Sequence, residues 1–171
     1  MSSREDSDLQ RAISSGNIEY VIRALKYYDG EYMKNGWALI VAAEHGWLYI
    51  FKYLMRRGAT FGNKWDVNEC LRYSVEKFNL DLSKHLIKLG ADVNYMDGYI
   101  LKLAIECNNI PLVKHLHKKS CNFPNLDLND VVTLITRKKV EMLDTLSKCF
   151  GREFDVMWET ATYMVDFDKN N

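Results

Sequence analysis

The feature that most constrains this fold is a helix-hairpin pattern that recurs about every thirty residues. It is clearest in residues 38–59, where two short apolar helical patterns meet at Gly46 and the second ends at Gly58. Gly46 suits a sharp reversal between helices, because glycine adopts a positive φ without steric cost. A hairpin this short cannot bury its apolar faces alone, so it needs copies of itself on either side.

The copies are present along the chain. The leading aliphatic residue of each copy is Leu9, Leu39, Leu71, Leu101 or Val131. Three of the four intervals between them are 30 residues and one is 32. The residue between the two helices keeps the same register, at Gly16, Gly46, Phe78, Asn108 and Lys138. Five concordant units predict an all-α helix-turn-helix solenoid, in which each repeat contacts only its neighbours.

Three stretches of the repeat carry a more specific pattern: Ala42-Ala43-Glu44-His45-Gly46, Leu54 with Gly58-Ala59, and Gly90-Ala91-Asp92-Val93-Asn94. Together they resemble the repeats of ankyrin-repeat proteins. The family's period is about 33 residues, so the period here is shorter. The usual Thr-Pro-Leu-His opening is absent, and the inter-helix glycine remains only at Gly16 and Gly46. A thirty-residue period without that opening is similar to the ankyrin arrays of giant DNA viruses.

The register divides the chain into three parts. We expect a disordered N-terminus in residues 1–7, an ankyrin-type solenoid of about five repeats in residues 8–151, and a C-terminal cap and tail in residues 152–171. The cap is expected to be a single helix with Ala161, Met164 and Val165 on its core face. Residues 60–68 form the longest predicted connector, and they carry Trp65.

Charge and composition exclude several classes of partner. The 23 Lys and Arg residues balance 23 Asp and Glu residues, so no global field attracts nucleic acid or an anionic membrane. No apolar run is long enough to span a bilayer, and the first residues lack a signal peptide. We therefore expect a cytoplasmic protein (in the host cytoplasm if the chain is viral) with its four cysteines reduced, and a nuclear location reached by diffusion is the alternative.

No catalytic or metal-binding motif is recognisable, so we expect neither an enzyme nor a bound cofactor or metal. The nearest metal-like spacing is His115-x-His117, but residues two apart on a helix point to different faces. His85 and His115 share one repeat offset, where half-buried packing is the favoured interpretation and a pH-sensitive pair is the alternative. The basic cluster of residues 137–139 is expected to be a solvated turn, with contact to an acidic partner or nuclear import as alternatives.

The resemblance implies a non-catalytic, monomeric protein-interaction module that holds another protein on the concave face of the stack. The residues expected to be exposed on that face are Lys34, Lys64, Trp65, Arg72, Tyr95, Met96, Lys102 and Asn125. Basic and aromatic types dominate this set, which favours an acidic, partly apolar partner anchored by Trp65. The alternative function is a substrate adaptor for a ubiquitin ligase.

Overall fold

The computed structural model describes residues 3–27, 33–119, 121–122 and 126–169. Eleven α-helices and one 3₁₀ turn account for the regular structure of these residues, and no β-strand occurs among them. The all-α class predicted from the sequence is therefore confirmed for this part of the chain. Two compact units are present, Met1–Asp92 and Val93–Asn171.

The first unit contains six helices. They are α1 (Ser3–Ser14), α2 (Ile18–Ala24), α3 (Trp37–Glu44), α4 (Leu48–Arg56), α5 (Lys64–Glu76) and α6 (Leu80–Lys88), with the 3₁₀ turn Leu25–Tyr27 after α2. Helix α3 packs against both α1 and α5, and each of these three helices also packs against the helix that follows it. The leading aliphatic residues Leu9, Leu39 and Leu71 are all fully buried. The apolar period thus produces a row of helix pairs within this unit.

The second unit contains five helices. They are α7 (Tyr95–Glu106), α8 (Ile110–His117), α9 (Leu128–Thr136), α10 (Val140–Phe150) and α11 (Arg152–Lys169). Helix α10 packs against α8 and α9, and α11 packs against α9 and α10. Leu101 and Val131 are fully buried, as are Leu116 and Leu146 of the second helices.

The five inter-helix positions aligned by the sequence share a left-handed backbone. The φ angle is 71° at Gly16, 74° at Gly46, 55° at Phe78, 53° at Asn108 and 53° at Lys138. Only two of these residues are glycines, so the reversal imposes the conformation even where a side chain opposes it. Helix pairs joined by the same turn therefore occur at all five predicted positions.

The three turns of the first unit also contact one another. A Cβ atom added to Gly16 would lie 2.7 Å from Cζ2 of Trp47. The Trp47 indole, at the second turn, therefore packs directly against the first turn at Gly16. Asn79 Nδ2, at the third turn, donates a hydrogen bond to the backbone oxygen of Gly46 at 2.9 Å. In this unit, successive turns therefore contact each other, as the successive helices α1, α3 and α5 do.

Some predicted boundaries and core positions differ from the structure. Helix α1 begins at Ser3, earlier than the predicted helix start at residue 8. Ala161 is fully buried as predicted, whereas Met164 is exposed and Val165 is half-buried. The core face of α11 is supplied instead by Phe154, which is fully buried in its first turn. The repeat register did not predict this side chain, because the register was derived from paired helices and α11 contacts both α9 and α10 directly.

Candidate protein-binding surface

The start of α5 is fixed by a reciprocal set of capping hydrogen bonds. Asn63 Oδ1 accepts from the backbone N–H of Trp65 at 2.7 Å and from that of Asp66 at 3.2 Å. Asp66 Oδ2 accepts from the N–H of Gly62 at 2.7 Å and of Asn63 at 3.1 Å. These bonds satisfy N–H groups that the first turn of a helix leaves without intrahelical partners. The segment around Trp65 therefore has a well-defined backbone.

The cap of α5 packs against the residues that precede α3. Asp66 is only 4% exposed, and a Cβ atom on Gly36 would overlap its Oδ2 atom. Gly36 has a φ of 77° and forms the N-cap of α3. The N–H of Thr60 also donates to the backbone oxygen of Met33 at 3.1 Å. The residues before α3 and those before α5 therefore lie side by side.

Trp65 is exposed at this position, but for a different reason from the one predicted. Its side chain is 55% exposed, and Lys34 and Lys64 are exposed as well. The predicted connector of residues 60–68 is wrong in its second half, because α5 begins at Lys64 and Trp65 lies in its first turn. The missed signal was the Asn63-x-x-Asp66 spacing, which is typical of a capping box. A helix terminus, not a loop, presents the indole.

Arg72 does not belong to the exposed surface, which corrects the prediction. Its guanidinium is half-buried and bonds Glu69 Oε2 at 2.8 Å and Glu76 Oε1 at 2.5 Å. It also lies 4.0 Å from the ring centroid of Tyr73. Partial burial acts to lower the pKa of Arg72, but the two carboxylates outweigh it and raise that pKa. With its charge neutralised by neighbours on the same helix, Arg72 offers little to a partner.

In the second unit, a turn of left-handed backbone lies near the start of the fourth helix pair. Met96, Asp97 and Gly98 have φ angles of 52°, 54° and 85°, and they interrupt α7 near its start. Met96 is 61% exposed, as predicted, whereas Tyr95 is half-buried. Two successive non-glycine residues in the left-handed region require support from the surrounding structure.

Lys102 is likewise less available than predicted. Its Nζ atom lies 2.8 Å from Asp130 Oδ2, and its side chain is 29% exposed. The hydrogen bond to Asp130 raises the pKa of Lys102. The Lys102 ammonium therefore stays charged and paired with the Asp130 carboxylate. The sequence could not reveal the pairing, because the two residues are 28 positions apart. Asn125, the last predicted contact residue, lies outside the described residues.

Comparison with known proteins adds no identification: no family model matches the chain, and no curated protein sequence matches it significantly.

The described residues contain no group of three or more His, Cys, Asp or Glu side chains arranged to hold a metal ion. All four cysteines are described, and none is in a disulfide. Burial is the main cause that raises the pKa of the Cys70 thiol, with Asp66 and Glu69 adding to it, so this cysteine is not a reactive nucleophile. No described helix has the length and apolarity needed to cross a membrane.

Proposed function

We propose that the chain is a non-catalytic protein-binding module that holds its partner at the start of α5. The observation that carries this proposal is Trp65, a large aromatic side chain left 55% exposed on a backbone fixed by four capping hydrogen bonds. A pre-organised aromatic residue loses little conformational entropy on binding and contributes a large contact area. Indole side chains are also enriched among the residues that dominate binding energy.

We further propose that the repeats form an ankyrin-type solenoid. Support comes from the shared left-handed turns, from the row of α1, α3 and α5, and from the contacts between the turns of the first unit. In such an arrangement the starts of successive first helices lie along one surface. Lys34 lies shortly before α3, and Lys64 and Trp65 lie at the start of α5, so all three would belong to the proposed surface.

Charge indicates the chemistry of the partner. The Asp66 carboxylate beside Trp65 is buried and accepts two backbone N–H groups, so little negative charge reaches the surface. Lys64, by contrast, is exposed beside Trp65 at the start of α5. We therefore propose an acidic, partly apolar segment of another protein as the ligand, bound in the cytoplasm.

A random-peptide library tests this function directly. The library is selected on the full-length protein alone, and enriched peptides are then titrated against that protein and against Trp65→Ala. We expect acidic peptides with an apolar residue, whose affinity falls roughly thirtyfold on Trp65→Ala, the equivalent of the ~2 kcal/mol typical of a hot spot.

The matched control is Tyr49→Ala, which removes an aromatic residue that is 67% exposed on α4. It should leave the affinity unchanged, and circular dichroism should show both variants folded. Peptides that bind Trp65→Ala as tightly as the unmodified protein, or a selection that enriches none, would overturn the proposal.

A further inference from the structure

A pocket of about 320 Å³ opens between α7 and α9 in the second unit. Its apolar part is formed by Ile105, Leu126 and Leu134, all of which are buried in the unit's core. Ligand pockets in proteins are typically concave, of roughly 300–1,000 Å³, with an apolar lining and a few polar groups at defined places. The dimensions and lining here suit one side chain the size of leucine or phenylalanine.

Two cations stand at the edge of this pocket. Arg137 follows the last residue of α9, Lys139 precedes the first residue of α10, and both side chains line the pocket. Lys138 between them does not line it and is exposed. Its left-handed backbone, with a φ of 53°, reverses the chain at this point. The turn thus brings Arg137 and Lys139, the first and last residues of the basic cluster of residues 137–139, to one pocket.

The anionic residues of the pocket do not cancel this charge. Asp130 lines the pocket, but its carboxylate is bound by Lys102 Nζ at 2.8 Å and by the N–H of Asp127 at 2.9 Å. Glu106 is the remaining acid in the lining. Within the described residues, neither Arg137 nor Lys139 forms an ion pair. The edge therefore presents more positive than negative charge to a ligand.

We infer that this pocket receives an acidic segment of a partner protein. One apolar side chain enters between Ile105, Leu126 and Leu134, and carboxylates of the same segment lie against Arg137 and Lys139. The inference rests on the proposed binding function and adds to it a site that does not involve Trp65. It also assigns a role to two members of the basic cluster of residues 137–139, for which the sequence favoured a solvated turn and kept contact with an acidic partner as an alternative.

A defined peptide tests the inference. Acetyl-Asp-Asp-Leu-Phe-Asp-Asp-amide is titrated into full-length protein that carries ¹³C-labelled methyl groups, and an analogue with Asn in place of each Asp serves as the uncharged probe. We expect saturable shifts of the Ile105, Leu126 and Leu134 methyl signals with the acidic peptide. The uncharged analogue should bind at least about fivefold more weakly, because it loses the exposed charge pairs.

Variants locate the binding. The double variant Arg137→Gln with Lys139→Gln should weaken binding of the acidic peptide by a similar factor, and Thr133→Phe should block it by filling the pocket. Lys138→Gln removes the same charge from the same turn and should have no effect. Absence of methyl shifts, or equal affinity in the double variant and Lys138→Gln, overturns the inference. Either result leaves the Trp65-dependent selection unaffected, so failure of this site and failure of the proposed function are distinguishable.

Discussion

Asn79 joins two successive inter-helix turns of the first unit through one side chain. Its Nδ2 atom donates to the backbone oxygen of Gly46 at 2.9 Å, and its Oδ1 atom accepts from the N–H of Leu82 at 3.0 Å. The first bond ties one helix pair to the next, and the second caps α6. A single residue thus contributes to both local helix formation and repeat cohesion.

We expect Asn79→Ala to lower the free energy of unfolding by about 2 kcal/mol, the sum of a lost cap and a lost hydrogen bond. Urea titration followed by circular dichroism measures this. Asn17→Ala is the control, because the Asn17 side chain caps α2 and forms no bond to another turn among the described residues. It should cost only about 1 kcal/mol, as a typical N-cap does. Equal losses in the two variants would show that the Gly46 bond contributes nothing.

Gly36 should be among the least replaceable residues of the first unit. Gly36→Ala places a Cβ atom against the Asp66 carboxylate and also requires alanine at a φ of 77°. We expect a loss of at least about 2 kcal/mol from left-handed strain together with disruption of the α5 cap. Gly58 has a φ of 97° but open space around it, so Gly58→Ala pays only the backbone cost. Thermal denaturation should rank Gly36→Ala clearly below Gly58→Ala, and the reverse order would contradict the packing at Asp66.

Phe78 occupies a position where glycine fits better. It is 62% exposed and has a φ of 55°, so its side chain gains little by burial while its backbone is strained. Phe78→Gly should raise the free energy of unfolding by up to about 1 kcal/mol, since relief of the left-handed penalty exceeds the entropic cost of glycine. Phe78→Ala, which shortens the side chain but keeps the strain, should bring no comparable gain. A destabilised glycine variant in urea titration would indicate that the ring stabilises the turn.

Phe154 should hold α11 in place. It is fully buried, and α11 packs on α9 and α10. Phe154→Ala should cost about 3–5 kcal/mol of unfolding free energy, as large-to-small core substitutions do. Val156→Ala, on the same helix at a position 55% exposed, should change stability by less than about 1 kcal/mol. Hydrogen exchange of α11 amides provides a second readout, and unaltered protection in Phe154→Ala would contradict a structural role for this contact.

His85 should make stability depend on pH. Burial is the main cause that lowers the pKa of His85 below its usual 6.5, and Lys52 and Lys88 add to it. The folded state therefore binds the proton less readily than the unfolded chain, and stability rises with pH in this range. The contribution is present above about pH 6.5, the unfolded value, and is lost as the pH falls towards the folded pKa.

The urea midpoint measured between pH 7.5 and 5 should fall more steeply for the unmodified protein than for His85→Gln. The variant removes the titrating group, so the difference between the two curves isolates it from other histidines. Parallel curves would show that His85 does not contribute.

The amino-acid sequence by itself determined the helix pairs and their turns. Aliphatic residues at helical spacing locate the buried face of a helix, because that pattern depends only on the 3.6-residue turn. The reversal between helices is equally local, which explains why Phe78, Asn108 and Lys138 adopt the same left-handed backbone as the two glycines.

Tertiary structure decided which polar and aromatic residues remain available. Lys102 is committed to Asp130 only because folding brings residues 28 positions apart within 2.8 Å. Arg72 is a different case, because Glu69 and Glu76 bind it on its own helix and their spacing of three and four residues is visible in the sequence. Trp65 lies on a helix because the Asp66 carboxylate fits beside Gly36 and completes the cap. The spacing of apolar residues predicts which side chains are buried. The partner of a charged or capping group depends instead on which segments approach each other in the fold, and the repeat period does not predict that.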